Sequence, residues 1–315
     1  MLALSHLIYS KALLAKLKKN TEIALISDAP GWHCEQLQEA FAAHQFEVKI
    51  VALNDCTIST QSEINIQLPG FIDCLPGGVF VRGVPAGSLE SVVFHLDILH
   101  SLARLGVHVY NDAQMIERSV DKAMTSFLLK NAGIATPPTW VTVDYQKACA
   151  IVQRLADNDQ AVVLKPLFGS QGKDLQLIHN VSELPKPDEA QPQVYYLQQF
   201  IKNSKPYDWR VFVVGDQVVS AMQRQGCGWV NNAAQGAECR HAIIDDEASK
   251  LAIQAVHAVG LFYGGVDLIS DTNNTMQVIE INSIPAWKSL QGVSSVNVAE
   301  YIVDHFMATR YCRDG

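Results

Sequence analysis

Three oxygen-bearing side chains near the C-terminal end could hold a metal ion. Glu280 and Asn282 alternate with isoleucines in residues 278–282. Successive side chains of a strand point to opposite faces, so these two share one face while the isoleucines face the core. A hairpin through residues 270–274 would set Asp267 of the preceding apolar segment beside Glu280. Because Mg²⁺ prefers a few protein oxygens plus water and phosphate, the pattern predicts an Mg²⁺ site. The alternative is three polar residues on a solvated sheet face.

A lysine followed by a glycine-bearing loop could bind phosphate. Lys165 ends the apolar residues 161–165, and the loop that follows contains Gly169, Ser170, Gln171 and Gly172. A lysine charge together with backbone N–H donors could close over a polyphosphate. The loop is not a Walker P-loop, because two residues rather than four separate its glycines and Asp174 replaces the required Ser or Thr. The alternative is a strand that ends in a solvated lysine and a glycine turn.

Two arginines flank a predicted hairpin that turns at Gly215. Arg210 begins the first strand of the hairpin and Arg224 ends the second. Guanidinium groups there could neutralise charge on a transferring phosphoryl group or a tetrahedral intermediate, at about 2.7 to 4 kcal/mol each. The rival explanation is a structural ion pair with Asp208.

Composition excludes several other classes of protein. The chain of 315 residues has 24 Lys and Arg against 32 Asp and Glu, a net charge of -8 that disfavours general nucleic-acid binding. No apolar run is long enough to span a membrane. Motifs of zinc proteases, serine hydrolases and dinucleotide-binding folds are missing from the sequence. Seven cysteines without a C-x-x-C pair predict reduced thiols and a cytoplasmic protein.

The elements that must position these residues fall into an α/β class. Alternating strands and helices predict a parallel sheet in the N-terminal part, with strands at residues 23–26, 48–53, 79–82 and 107–110 and helices at 32–43 and 88–104. Residues 113–132 predict one or two connecting helices. Later strands joined by short turns predict antiparallel sheets, at residues 161–165, 175–179, 194–201, 210–214, 218–223, 265–269 and 277–282, interrupted by one helix at 247–259.

The predicted domain organisation has four parts. Residues 1–20 form an amphipathic helix that packs on its own domain, with binding to a membrane surface or a partner as the alternative. An N-terminal α/β domain covers residues 21–112. A connector and central lobe cover 113–200, and a C-terminal lobe with the metal site covers 201–315.

Six motifs in order resemble the ATP-grasp enzymes, and among them the RimK-type glutamate ligases. They lie at residues 119–122, 163–172, 198–201, 208–216, 265–267 and 280–285, within a similarity that runs from about residue 21 to 306. The resemblance implies the ATP-grasp fold, with an N-terminal parallel α/β lobe, a small central α+β lobe and a C-terminal antiparallel lobe. It also implies that ATP lies between the last two lobes.

The resemblance implies a role for each site residue. Lys122 and Lys165 would contact the ATP phosphates, Asp208 the ribose, and Arg210 and Arg224 the reacting groups. The glycine-bearing loop would cover the phosphates. The adenine would lie against Gln198, Gln199, Phe200 and Ile201. One or two Mg²⁺ ions, with Mn²⁺ as a substitute, would lie on Asp267, Glu280 and Asn282.

The implied activity is that of an ATP- and Mg²⁺-dependent carboxylate-amine ligase. The acceptor carboxylate would take the γ-phosphoryl group, and an amine would then attack the acyl phosphate without a protein nucleophile. The partners implied are L-glutamate and a small-molecule carboxylate such as a one-carbon cofactor of the tetrahydromethanopterin or methylofuran type. A homo-oligomer stays open. Alternatives are a ligase for another amino acid, a kinase-like phosphotransferase and a non-catalytic nucleotide-binding regulator.

Departures from the RimK pattern concern the substrate. The family's Arg-Ser-Asn element and following His are replaced by residues 229–236, in which Asn232 is kept as a candidate substrate contact. Trp287 and Lys288 follow Pro285 where the family has Gly and an acidic residue nearby, and they suggest a different substrate pocket. Arg82 could bind an anionic substrate, with a strand-to-helix turn as the alternative.

Overall fold

The computed structural model describes residues 20–61, 64–72, 74–169, 172, 174–187 and 193–310. The predicted helix over residues 1–20 therefore lies almost wholly outside the described residues. The helices are α1 (Trp32–Ala43), α2 (Leu89–Arg104), α3 (Ala113–Val120), α4 (Lys122–Asn131), α5 (Tyr145–Ala156), α6 (Asp246–Val259), α7 (Lys288–Gln291) and α8 (Val298–Arg310).

The strands are short and belong to four sheets. They are β1 (Glu22–Ile26), β2 (Glu47–Val51), β3 (Thr57–Ile58), β4 (Ile66–Gln67), β5 (Gly78–Val81), β6 (Val109–Tyr110), β7 (Thr139–Thr142), β8 (Val162–Lys165), β9 (Gln176–Ile178), β10 (Tyr195–Gln199), β11 (Asp208–Val214), β12 (Gln217–Gln225), β13 (Glu238–His241), β14 (Tyr263–Ser270) and β15 (Met276–Asn282). The chain divides into unit 1, Met1–Ile116 with Asn297–Gly315, and unit 2, Glu117–Val296.

Unit 1 contains the predicted parallel sheet. Its order is β2-β1-β5-β6, with every pair parallel, and a small hairpin of β3 and β4 accompanies it. The central strands β1 and β5 are buried almost throughout, as expected for strands of a parallel sheet covered on both faces, whereas the edge strand β2 is mostly exposed or half-buried. The α/β prediction for the N-terminal part is confirmed.

The C-terminal helix α8 belongs to unit 1, although the predicted boundaries place it with residues 201–315. Phe306 of α8 is fully buried and meets Phe41 of α1 edge to face, with 5.1 Å between ring centroids. Phe80 of β5 lies 6.2 Å from both rings. Burial of three aromatic rings against one another accounts for the return of the chain to the N-terminal sheet.

Unit 2 is built from two antiparallel sheets. The first has the order β7-β10-β8-β9 and the second β13-β12-β11-β14-β15. Helix α5 covers the first sheet with Ala148, Val152 and Leu155. Helix α6 packs against strands of the second sheet and buries its alanine and valine stripe. The prediction of one helix among these strands missed α5, while the antiparallel pairing is confirmed.

Among the described residues, no helix is both long and apolar enough to cross a membrane.

Candidate active site

A row of charged residues crosses one face of the second sheet of unit 2. Asp208 pairs with Arg224 on the neighbouring strand, Arg210 with Asp267, and Asp267 in turn with Glu280. Asp208 and Arg210 are two positions apart on β11, so their side chains share this face. The predicted hairpin that sets Asp267 beside Glu280 is present. Strand register therefore brings together two arginines and three carboxylates that lie far apart in the sequence.

Four of these residues form one ion-pair network. Arg224 donates from Nε and Nη2 to the two carboxylate oxygens of Asp208, at 2.8 Å each, and its Nη2 also lies 3.0 Å from Oδ2 of Asp267. Arg210 donates from Nε to Oδ1 of Asp267 and from Nη2 to Oδ2 at 3.0 Å. The side chain of Arg224 is only 4% exposed and that of Asp267 only 6%. The structure thus contains the ion pair that was the rival explanation for Arg224.

The network keeps Asp267 and Arg224 charged, whereas burial raises the pKa of Asp208 to about 6 despite the opposing charge of Arg224. Burial acts to raise the pKa of Asp267, but Arg210 and Arg224 outweigh it and hold that pKa below its usual range. Burial acts to lower the pKa of Arg224, and Asp267 and Asp208 outweigh it so that the pKa is raised. An ionised Asp267 is the form that a cation or a guanidinium can bind.

A bulge in β15 places one isoleucine where alternation did not predict it. Asp267 pairs with Glu280 while Leu268 pairs with Val278, so Ile279 is the extra residue of the longer strand. Ile279 lines the same cleft as Glu280, together with Ile269. The prediction that both isoleucines face the core is therefore wrong for Ile279, because a bulge shifts the alternation by one residue.

Lys165 is held at the end of β8 by a buried amide. Its Nζ donates to Oε1 of Gln198 at 2.7 Å. Gln198 is 3% exposed, and its Nε2 donates to the hydroxyls of Thr139 at 3.3 Å and Tyr196 at 3.4 Å. Burial lowers the pKa of Lys165, and the charge of Glu280 opposes this shift. A partly buried ammonium held by a neutral amide is suited to receive an anionic oxygen.

Lys122 adds a second cation next to the glycine-bearing loop. It is the first residue of α4, after Asp121, whose carboxylate accepts from the backbone N–H groups of Ala123 and Met124. Lys122 Nζ donates to the carbonyl of Gly169 at 2.8 Å. Burial lowers the pKa of Lys122 and the charge of Glu280 opposes it. Both lysines therefore act electrostatically on the same carboxylate.

A cleft within unit 2 is lined by residues of both sheets. The first sheet and the segment after it contribute Val163, Lys165, Gln198, Gln199, Phe200 and Ile201. The second sheet contributes Asp208, Arg224, Asp267, Ile269, Ile279 and Glu280. Gly172 also lines the cleft, with a positive φ of 67°. Ser170 and Gln171 lie outside the described residues, so their predicted contact with ATP stays a prediction.

The loop over residues 226–236 closes one side of the cleft. Trp229 meets the ring of Phe200 edge to face, with centroids 6.1 Å apart. Asn231 accepts from the backbone N–H of Gly226 at 2.8 Å, and Asn232 accepts from that of Ala234 at 2.8 Å. Trp229 and Asn231 line the cleft but were not predicted as site residues. The sequence did contain a signal for Trp229: an aromatic residue directly after Gly228, in a segment that departs from the family pattern.

Gly226 permits the tight geometry of this loop. A Cβ at Gly226 would lie 2.4 Å from the carbonyl oxygen of Val230, whereas a Cβ at Gly228 would meet nothing within 4 Å. We expect Gly226→Ala to displace Trp229 and to weaken binding of a fluorescent ATP analogue about tenfold, or 1.4 kcal/mol. Gly228→Ala, the matched control, should stay within about twofold by the same arithmetic. Equal affinities of the two variants would show that the loop does not shape the cleft.

Four further predicted residues do not line the cleft. Asn282 ends β15 opposite Gly265 and is not among the described residues that line the cleft. Trp287 is fully buried and packs against Phe212, so its ring has no exposed surface for the predicted substrate contact. Lys288 is exposed at the start of α7. Arg82 is half-buried in unit 1, directly after β5. The predicted roles of Asn282, Lys288 and Arg82 stay predictions.

Comparison with known proteins identifies the class that this fold and cleft define. Residues 119–306 match the family of the RimK-like ATP-grasp domain, and the chain belongs to this family of ligases. A solved structure of the ATP-grasp ligase PsnB, complexed with a phosphomimetic variant of its minimal precursor, Mg and ADP, superposes with a TM-score of 0.70. It covers 92% of this chain and 99% of its own, at 19% identity, and shows the fold alone.

Two relatives that are more similar in sequence than PsnB indicate which kind of ATP-grasp ligase this chain resembles. A protein of Methanococcus maripaludis named tetrahydromethanopterin:alpha-L-glutamate ligase is 31% identical over 300 residues, covering 93% of this chain and 99% of the relative. A protein of the same name from Methanocaldococcus jannaschii is 35% identical over 244 residues, covering 74% and 78%. These similarities confirm the predicted RimK-type ligase class.

Proposed function

We propose that this protein is an ATP- and Mg²⁺-dependent ligase that joins L-glutamate through an amide bond to the carboxylate of a small-molecule acceptor. The observation that carries the proposal is the cleft in which Lys165 of the first sheet lies with the cross-strand carboxylates Asp267 and Glu280 of the second, and the charge of Glu280 also acts on Lys122. Two partly buried lysines together with a pair of cross-strand carboxylates suit a metal-bound polyphosphate.

The donor set fits Mg²⁺ held jointly with phosphate. Asp267 and Glu280 are neighbours across two strands and supply hard oxygen ligands. The described residues contain no group of three or more His, Cys, Asp or Glu side chains arranged for a metal. Mg²⁺ commonly binds one or two carboxylates plus substrate phosphates, so this small set is sufficient. When bound, the cation would neutralise charge on the phosphate oxygens.

The chain's own residues supply positioning and charge rather than a nucleophile. Lys122 and Lys165 would hold the phosphates, and the aromatic pair Phe200 and Trp229 would bound the base side of the cleft. The acceptor carboxylate attacks the γ-phosphorus, ADP leaves, and the amine displaces phosphate from the acyl phosphate. Arg210, which donates to Asp267, would neutralise charge on the transferring group.

Glutamate and a pterin-type acceptor are supported by the relatives. Both relatives described above carry tetrahydromethanopterin and alpha-L-glutamate in their names. The loop containing Trp229 and Asn232 departs from the RimK pattern, so another amino acid is the main competing outcome.

A phosphate-release screen tests the proposal. Purified protein, ATP and Mg²⁺ are combined with pterin, furan or protein carboxylate acceptors and with each amino acid in turn. We expect release that requires both L-glutamate and a pterin acceptor, and a product heavier by one or more glutamyl residues in mass spectrometry. ADP and a stable phosphorylated acceptor without an amine would indicate a kinase-like enzyme. ATP binding without turnover for any pair would indicate a regulator.

A further inference from the structure

The carboxylate of Asp267 is almost saturated with guanidinium donors. Oδ1 accepts from Arg210 Nε, and Oδ2 accepts from Arg210 Nη2 at 3.0 Å while lying 3.0 Å from Arg224 Nη2. A carboxylate offers about four lone-pair sites, and three are used here. A cation that binds Asp267 directly must therefore take lone pairs that now face N–H groups.

The two arginines differ in how firmly they are held. Arg224 makes a bidentate pair with Asp208 and is 4% exposed. If Arg224 moved away from Asp267, the buried carboxylate of Asp208 would also lose its guanidinium partner. In the part of the chain that the structure describes, the guanidinium of Arg210 donates to Asp267, and the Arg210 side chain is 12% exposed. Arg210 is therefore the one of the pair that can turn away.

Gly265 leaves room for Arg210 to lie along β14. A Cβ at Gly265 would lie 3.0 Å from Nη1 of Arg210 and 3.2 Å from its Cδ. The missing side chain lets the guanidinium lie against the strand that carries Asp267. The pairing of Arg210 with Asp267 is therefore accommodated by the backbone of the neighbouring strand.

The charges around Asp267 also disfavour a cation that arrives without phosphate. Arg210 and Arg224 both pair with Asp267, and the charge of Asp267 also acts on Lys165. A divalent cation that arrives alone would be repelled by these neighbouring cations, whereas the phosphates of ATP would attract them.

We propose that Arg210 acts as a counter-ion that competes with the divalent cation for Asp267, and that it is released toward the transferring phosphoryl group when the nucleotide-bound cation arrives. The inference rests on the proposed function, since it assigns Asp267 to the cation. Arg210 would then perform two tasks in sequence. It neutralises a buried carboxylate before substrate binds, and it becomes available for charge on phosphate afterwards.

Titration of the full chain with Mn²⁺ alone, followed by electron paramagnetic resonance of the free ion, tests the competition. We expect Arg210→Gln to bind Mn²⁺ about tenfold more tightly than the wild type, because the carboxylate loses its competing donor. The control is Arg240→Gln, which removes the same charge from an exposed pair with Glu238 on β13. Circular dichroism checks that each variant is folded. Equal affinities of the Arg210 and Arg240 variants would overturn the proposal.

Two further variants keep the test decisive. Arg210→Lys preserves the charge but not the forked donor, so its Mn²⁺ affinity should lie between those of the wild type and Arg210→Gln. Adding Asp267→Asn to Arg210→Gln should remove the gain, and a gain that persists would show that the ion binds elsewhere. These measurements need no turnover. Failure of the ligase screen would refute the proposed function while leaving the competition for Asp267 to be judged separately.

Discussion

Glu280→Ala is expected to abolish ADP formation, with a loss of about 10³-fold or more, the upper range for removing one electrostatic stabiliser. Glu280 pairs with Asp267 across the sheet and opposes the lowered pKa values of Lys122 and Lys165. Its removal would take away one carboxylate of the proposed cation site and would leave two partly buried lysines with less compensating charge. Steady-state ADP release at saturating ATP and Mg²⁺ measures the effect.

The control for this variant is Glu238→Ala on β13. Glu238 is an exposed carboxylate of the same sheet, paired with Arg240 at 2.9 Å. Its loss should leave turnover within about twofold, since an exposed ion pair contributes 0 to 1 kcal/mol. Circular dichroism should show both variants folded. Undiminished turnover of Glu280→Ala would remove Glu280 from the cation site.

Arg224→Met is expected to lower the free energy of unfolding by about 3 to 5 kcal/mol, the cost of breaking a buried pair by removing one partner. Arg224 is a donor to Asp208 and lies within 3.0 Å of Asp267. Methionine fills part of the volume but leaves Asp208 without its partner and Asp267 with Arg210 alone. Urea unfolding followed by circular dichroism and by tryptophan fluorescence measures the loss.

Arg240→Met serves as the exposed comparison and should cost no more than about 1 kcal/mol. The double variant Arg224→Met with Asp208→Asn should recover part of the stability, because one uncompensated charge is gone. If Arg224→Met unfolds at the same urea concentration as Arg240→Met, the buried network does not stabilise unit 2. Such a result would favour the predicted role of Arg224 at the reacting groups.

The fold was predictable in segments whose apolar residues follow a clear helical or strand periodicity. Helix α1 matches its predicted bounds of residues 32–43, and the antiparallel hairpin of β11 and β12 was expected from its turn. Helices α5 and α8 were missed although both carry apolar residues at helical spacing, such as Ile302 and Phe306 of α8. Assignment of α8 to unit 1 was beyond reach, since its contact with Phe41 joins residues more than 260 positions apart.

The residues of the candidate site could largely be predicted from the sequence. Their positions relative to one another could be predicted only in part. Asp267 and Glu280 were placed side by side because a short hairpin joins their strands. The bulge at Ile279 was not predictable, because alternation assumes an unbroken register. Burial of Trp287 against Phe212 also depends on a distant strand.

Residue types and local spacing were enough to indicate the family, the lysines that are candidates for phosphate binding and the carboxylates that are candidate metal ligands. Tertiary structure alone decided how the charges are shared. Strand pairing sets Arg224 between Asp208 and Asp267, and it gives Arg210 the carboxylate of Asp267 as its partner. Pair energies in a buried site depend on distance and desolvation. Both are properties of the packed sheet. The position of Asp267 between two arginines therefore depends on the register of β11, β12 and β14 and could not be predicted from the sequence.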